Sequence, residues 1–141
     1  MGPTDQESSY RAIEGLIATY AELVDDGDFA AVARLLAGAT LVAGAGSVTD
    51  RDAIEKLLRG NVIVYGDGTP RTKHVTANLA IEIDEDAGAA ASRSYFTALQ
   101  ALPDLALQPI VRGGISIASS APRRALVLCR AARSKPISSA M

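Results

Sequence analysis

One histidine and one oddly placed acid are the residues of this 141-residue chain best suited to move a proton. His74 is its only imidazole, in the stretch "GTPRTKHVTANLAIEID". Imidazole changes charge near neutrality, so it can take or give a proton at working pH. Such a base is usually oriented by a carboxylate on its second nitrogen. Asp25 is the candidate. It falls in the last turn of a predicted helix, where the helix dipole disfavours negative charge by a few tenths of a kcal/mol to about 1 kcal/mol. It also directly follows the apolar pair Leu23–Val24, which places it at the border of the core. Each residue has a plainer reading. His74 is equally a solvent-facing strand residue, and Asp25, Asp26 and Asp28 are equally a polar turn that ends the helix.

Other chemistries find little support. One histidine, one cysteine and no HxH, HExxH or CxxC spacing give too few ligands for a metal site. "GAGSVTD" holds a GxG but lacks the third glycine and the βαβ setting of a dinucleotide fingerprint. Neither a GxSxG elbow nor a phosphate-binding loop of the Walker type occurs. Cys129 has no second histidine to activate it. Tyr20, Tyr65, Tyr95 and Phe96 could line a pocket, although buried tyrosines mostly serve packing.

The elements that must carry His74 and Asp25 follow from periodicity. Tyr10, Ile13, Leu16, Ile17, Tyr20, Leu23 and Val24 recur at steps of three and four, which predicts a helix over about 6–25 with one buried stripe. Gly27 suits the residue past its end. Asp28 suits the N-cap of a short second helix that stops at Gly38. "ATLVAGAGSV" reads as a short strand or hairpin. "TDRDAIEKLLRG" reads as a third helix, capped by Thr49 or Asp50 and ended by Gly60. From Thr72 the period becomes two. Val75, Ala77, Leu79, Ile81 and Ile83 should share one face, with His74, Thr76, Asn78, Ala80 and Glu82 on the other. "DEDAG" turns the chain into a second strand, "AAASRSYFTALQ". A third strand contains Pro109, which favours an edge or a bulge. Helices followed by an antiparallel sheet define an α+β arrangement.

Composition sets the outer bounds. The length suits one domain with one core. Hydrophobic residues make up 48% and charged residues 21%, the balance of a globular chain. With no Trp and a net charge of −2, nothing suggests a nucleic-acid platform or a basic field. The N-terminus lacks the basic and apolar regions of a secretory signal, and no apolar run is long enough to span a membrane. One cysteine makes no internal disulfide, so a reducing cytoplasm is the expected setting. Charge is uneven along the chain. Residues 119–141 carry Arg123, Arg124, Arg130, Arg133 and Lys135 but no acid. This divides the chain into a domain over 1–118 and a basic Ala/Arg/Ser-rich tail over 119–141, expected to be disordered or non-native to the fold, although its "ALVLC" could restore a sheet edge.

"IEGLIATYAELVDDGDFAAVARLLA", "DAIEKLL" and "DGTPRTKHVTANLAIEIDEDAGAAASRSYFTALQ", in that order, resemble the SnoaL-like branch of the nuclear-transport-factor-2-like superfamily. The resemblance runs from about Arg11 to Gly113. It implies a cone-shaped α+β fold, with three N-terminal helices packed on a curved antiparallel sheet that encloses an apolar pocket. In family members that are dehydratases or dehydrochlorinases, a His–Asp pair removes a proton from carbon. The matching positions here are His74 and Asp25. The resemblance thus implies a cofactor-independent lyase, dehydratase or isomerase. His74 would be its general base and Asp25 its orienting carboxylate; beside that mapping, Tyr20, Asn78 and Tyr95 are the residues expected to make polar contacts to substrate. A small apolar molecule, polyketide-like or steroid-like, would be the partner, in a homodimer. The alternative is a ligand-binding or dimerisation module of the same fold without chemistry. The chain departs from the family after "PIVRGG". The usual aromatic–x–Asp–x–Phe strand is missing, and "ISIASSAPRRALVLCRAARSKPISSAM" stands in its place.

Overall fold

A computed structural model of the protein describes residues 5–43, 46–120 and 123–133. Three helices come first: α1 (Asp5–Asp25), α2 (Phe29–Leu35) and α3 (Arg51–Asn61). Between α2 and α3 lie two short strands, β1 (Thr40–Ala43) and β2 (Gly46–Val48). Four long strands follow: β3 (Thr72–Asp84), β4 (Ala89–Leu102), β5 (Leu105–Ser120) and β6 (Arg123–Arg133). All six strands form one sheet in the order β2-β1-β6-β5-β4-β3. β3 to β6 is an antiparallel meander, and β6 pairs with β1 in parallel. The sheet is therefore not wholly antiparallel. The long chain from β1 through α3 and the meander supplies the crossover that a parallel pair requires.

The core lies between the helices and one face of this sheet. Ile17 and Val24 of α1, Phe29 and Val32 of α2 and Ile54 and Leu58 of α3 meet Phe96 of β4 and Ile115 and Ile117 of β5. Tyr10 does not join this stripe. It is 38% exposed near the start of α1. The caps follow side-chain chemistry. Asp28 accepts from the Ala31 N–H at 3.0 Å, and Asp50 from the Ala53 N–H at 3.0 Å. Gly60 does not end α3. The helix runs on to Asn61, whose amide donates to the Leu57 carbonyl at 2.7 Å and extends the last turn.

β3 departs from strict alternation in a way that matters for the site. Its register to β4 shifts between Ala77 and Ala80, and Asn78 there has φ 54°. Asn tolerates this left-handed conformation better than most residues. The bulge adds a residue, so the faces swap across it. Thr72, His74 and Thr76 are half-buried while Val75 is 51% exposed. Beyond the bulge, Leu79 packs on the core, and Ile81 and Ile83 are half-buried. The single apolar face expected over Val75–Ile83 is thus split in two. Pro109 sits at a second bulge, where Leu99 pairs with Pro109 and Ala98 with Val111.

Residues 123–133, expected to lie loose, form β6 between β1 and β5. Residues 134–141 of the same tail lie outside the described residues.

Candidate functional site

The end of α1 and the start of β3 bring Asp25 and His74 together. Asp25 Oδ1 lies 2.6 Å from His74 Nδ1. The same oxygen accepts the Thr72 hydroxyl at 2.7 Å, and Oδ2 accepts the His74 backbone N–H at 2.8 Å. Exposure of the two side chains is only 13% for His74 and 7% for Asp25. A buried carboxylate is costly unless its oxygens are bonded, and here both are. These three contacts offset the unfavourable position of Asp25 at the negative end of α1, whose last turn holds no basic residue.

The geometry fixes the imidazole. Beside an ionised carboxylate, which only accepts, a neutral ring would carry its hydrogen on Nδ1. Nε2 then carries the lone pair. The ring also leans on Phe96, with centroids 5.5 Å apart and planes tilted by 33°. Phe96 shields one side of the imidazole from water. A ring held in this way can accept a proton at Nε2 and place the resulting positive charge against Asp25.

Two surrounding elements aim these residues. Loop 65–71 delivers the chain into β3. Asp67 Oδ1 accepts both the N–H and the hydroxyl of Thr69 at 3.0 Å, and Arg71 reaches Asp67 Oδ2 at 3.3 Å. Those bonds to Thr69, backbone first, hold the Asp67 carboxyl below its usual range, with Arg71 adding to the effect. Gln100 of β4 donates to the Pro70 carbonyl at 3.0 Å. On the other side, Gly27 closes α1 with φ 73°.

A cleft of about 410 Å³ lies between α1 and β3. Ala18, Ala21 and Asp25 line it from α1, and His74 and Thr76 from β3, with Glu22, Asp26 and Lys73 also on its wall. A separate depression of about 310 Å³ is bordered by Glu82, Arg93 and Ser116 and contains neither His74 nor Asp25.

The other expected contact residues do not gather here. Asn78 is exposed at the bulge rather than beside His74. Tyr95 is 65% exposed, and it alternates with the buried Ser94 and Phe96. It therefore projects from the opposite face of the sheet to His74. Tyr20 packs half-buried against the core and is not among the cleft-lining residues. Sequence reasoning missed Thr72 as a partner of Asp25. Its place two residues before His74, on the same side of a strand, was the available signal. Among the described residues no three His, Cys, Asp or Glu side chains converge as a metal site would require. No helix among them is long and apolar enough to cross a membrane.

The SnoaL-like domain family matches residues 6–122, so most of the chain falls within it. This protein belongs to the SnoaL-like domain family. Solved structures agree on the fold. Aln2 from a Streptomyces species superposes with a TM-score of 0.65 at 17% identity, over 94% of each chain. A protein of unknown function from Mycobacterium tuberculosis gives 0.68 at 18% identity, over 98% of this chain and 79% of that one. A putative scytalone dehydratase from Novosphingobium aromaticivorans gives 0.62 at 19% identity, over 91% and 85%. At such identities the likeness is one of fold. No curated protein matches the chain.

Proposed function

We propose that this protein is a cofactor-independent lyase, dehydratase or isomerase acting on a small molecule. His74 Nε2 removes a proton from carbon, and Asp25 holds the tautomer and stabilises the imidazolium that forms. The observation that carries this reading is the 2.6 Å contact between Asp25 Oδ1 and His74 Nδ1, made at the wall of a cleft by a buried carboxylate and a half-buried imidazole. An acid used only to end a helix would gain more from water than from burial. General-base help of this kind is worth on the order of 10²–10⁴ in rate. The neighbouring structure named as a putative scytalone dehydratase is in keeping with the reading. An apolar substrate, polyketide-like or steroid-like, suits the Ala18 and Ala21 side of the cleft.

The test is spectroscopic and needs no substrate. With a single histidine, a long-range proton–nitrogen spectrum gives one imidazole pattern. The expected pattern for the neutral ring is hydrogen on Nδ1 and a bare Nε2. Hydrogen on Nε2, unchanged in Asp25→Asn, would remove the base from this role.

A second reading has its own observation. Val75 and Tyr95 are 51% and 65% exposed, and Ala77, next to Val75 on that face, pairs directly with Tyr95. An apolar patch on the outward face suits a homodimer, and the fold would then serve as a dimerisation or ligand-binding module without chemistry. Hydrodynamic mass measures this directly. A monomer at all working concentrations would dismiss the dimer.

A further inference from the structure

Three polar side chains follow one another on the half-buried side of β3: Thr72, His74 and Thr76. The first two are committed to Asp25. Thr76 also lines the cleft, yet its hydroxyl makes no hydrogen bond to another described residue. Residues two apart on a strand stand about 6.6–6.8 Å apart on one face. Thr76 is therefore the next residue after His74 on that face of β3, and both line the cleft.

The backbone adds a second donor. β3 is an edge strand of the sheet. The His74 N–H points away from β4, to Asp25. In an antiparallel ladder the N–H direction repeats every second residue, and the register is regular from Thr72 to Ala77. The Thr76 N–H consequently points to the same side as that of His74, away from β4. At His74, the Asp25 carboxylate is held by a backbone N–H and a side-chain donor of one residue. Thr76, a lining residue of the cleft, carries the same kinds of donor one strand repeat further on.

We propose that Thr76 is a catalytic residue of this site. Its hydroxyl and backbone N–H hold the carbonyl oxygen of an enolisable substrate whose adjacent C–H faces His74 Nε2. The inference rests on the reading of His74 as the base, and what it adds is the role of Thr76. The spacing suits one unit of carbonyl and adjacent C–H. A reacting carbon lies roughly 3–3.5 Å from its base, and a bound oxygen about 2.7–3.1 Å from its donors. In the step, the C–H bond breaks and its proton goes to Nε2. The C–H electron pair forms the new C=C bond, and the carbonyl π pair moves onto oxygen. The enolate is held by the two Thr76 donors, which keep their hydrogens. Return of the proton at another carbon gives isomerisation, and loss of a β-substituent with its electron pair gives elimination. No oxidant or reductant is involved.

The test follows deuterium uptake by β-tetralone in D2O, read by proton NMR, with the full-length protein. The wild type should exceed buffer, and His74→Gln should return exchange to the buffer rate. Thr76→Val keeps shape and N–H but loses the hydroxyl. Its kcat for exchange should fall roughly 10²-fold, the cost of one oxyanion donor, with KM changed far less. Thr76→Ser should restore the rate to within a few-fold. If Thr76→Val unfolds, Thr76→Ala is judged by the same criteria. Exchange by the hydroxyl-free variant at the wild-type rate, with His74→Gln inactive, overturns the role of Thr76 and leaves the base standing. Wild-type exchange no faster than buffer, or His74→Gln as active as wild type, overturns the base and Thr76 with it.

Discussion

Gly27 and Gly68 touch backbone to backbone. A β-carbon on Gly27 would run into the Gly68 carbonyl oxygen, well inside any contact that real atoms make. This contact joins the turn after α1 to the loop before β3, the two segments that carry Asp25 and His74. The two residues lie 49 positions apart in sequence, and their meeting depends on how closely the α1–α2 turn and loop 65–71 approach.

Gly27→Ala should therefore damage fold and site together. Its φ of 73° costs an L-residue about 1–2 kcal/mol, and the clash with backbone forces the loop to move as well. The expected loss is about 3 kcal/mol or more in denaturant titration. Gly68→Ala is the control. Its φ is 82°, but nothing lies within 4 Å of the added carbon. It should lose only the conformational part, about 1–2 kcal/mol. Equal losses in the two variants would show that the close approach has no energetic weight.

Thr72→Val should loosen the carboxylate without touching the imidazole. The variant keeps the β-branched shape that suits a strand but removes the 2.7 Å bond to Asp25 Oδ1. A hydrogen bond to a charged group contributes about 1.5–3 kcal/mol. The measured loss of stability should fall in that range. Exchange activity should drop less than in His74→Gln, because Nδ1 still meets Asp25. Full activity and full stability in Thr72→Val would mean that the backbone N–H of His74 is enough to hold the acid.

Particular residues show how far the sequence alone reaches. The two members of the pair are legible because each is out of place locally. Asp25 stands at the wrong end of a helix dipole, and His74 is a lone imidazole in a strand. Asp28 and Asp50 are legible as caps because capping is decided within three residues. Asn78 is not. Strict alternation puts it beside His74, but one extra residue in β3 turns it away and swaps the faces beyond it. A bulge is a property of two paired strands, and neither strand announces it alone. The face that Tyr95 takes is hidden for a related reason. An aromatic in a strand suits either face, and only the register to β3 and β5 decides which is buried. Charge alone makes the tail a loose chain. Its backbone instead pairs with β1 and β5, a long-range term that local composition does not express.

Asp67 makes the last prediction, a pH dependence with a definite sign. The Thr69 N–H and hydroxyl, followed by Arg71, favour its ionised form, so its folded pKa is lowered from the ordinary 3.8. The unfolded chain offers none of these partners. At neutral pH both states carry an ionised Asp67, and the full stabilising contribution is present. As pH falls below 3.8 the unfolded state binds a proton first, and the contribution shrinks. It is gone once pH has passed through the lower folded value. Asp67→Ala should thus be less stable than wild type at neutral pH, and the gap should close on acidification below the ordinary carboxylate range. Paired thermal unfolding curves across that range measure it. A gap that stays constant with pH would mean that Asp67 supports the loop through shape alone. A gap that closes would identify loop 65–71 as an electrostatically fastened approach to His74, which acid should then loosen.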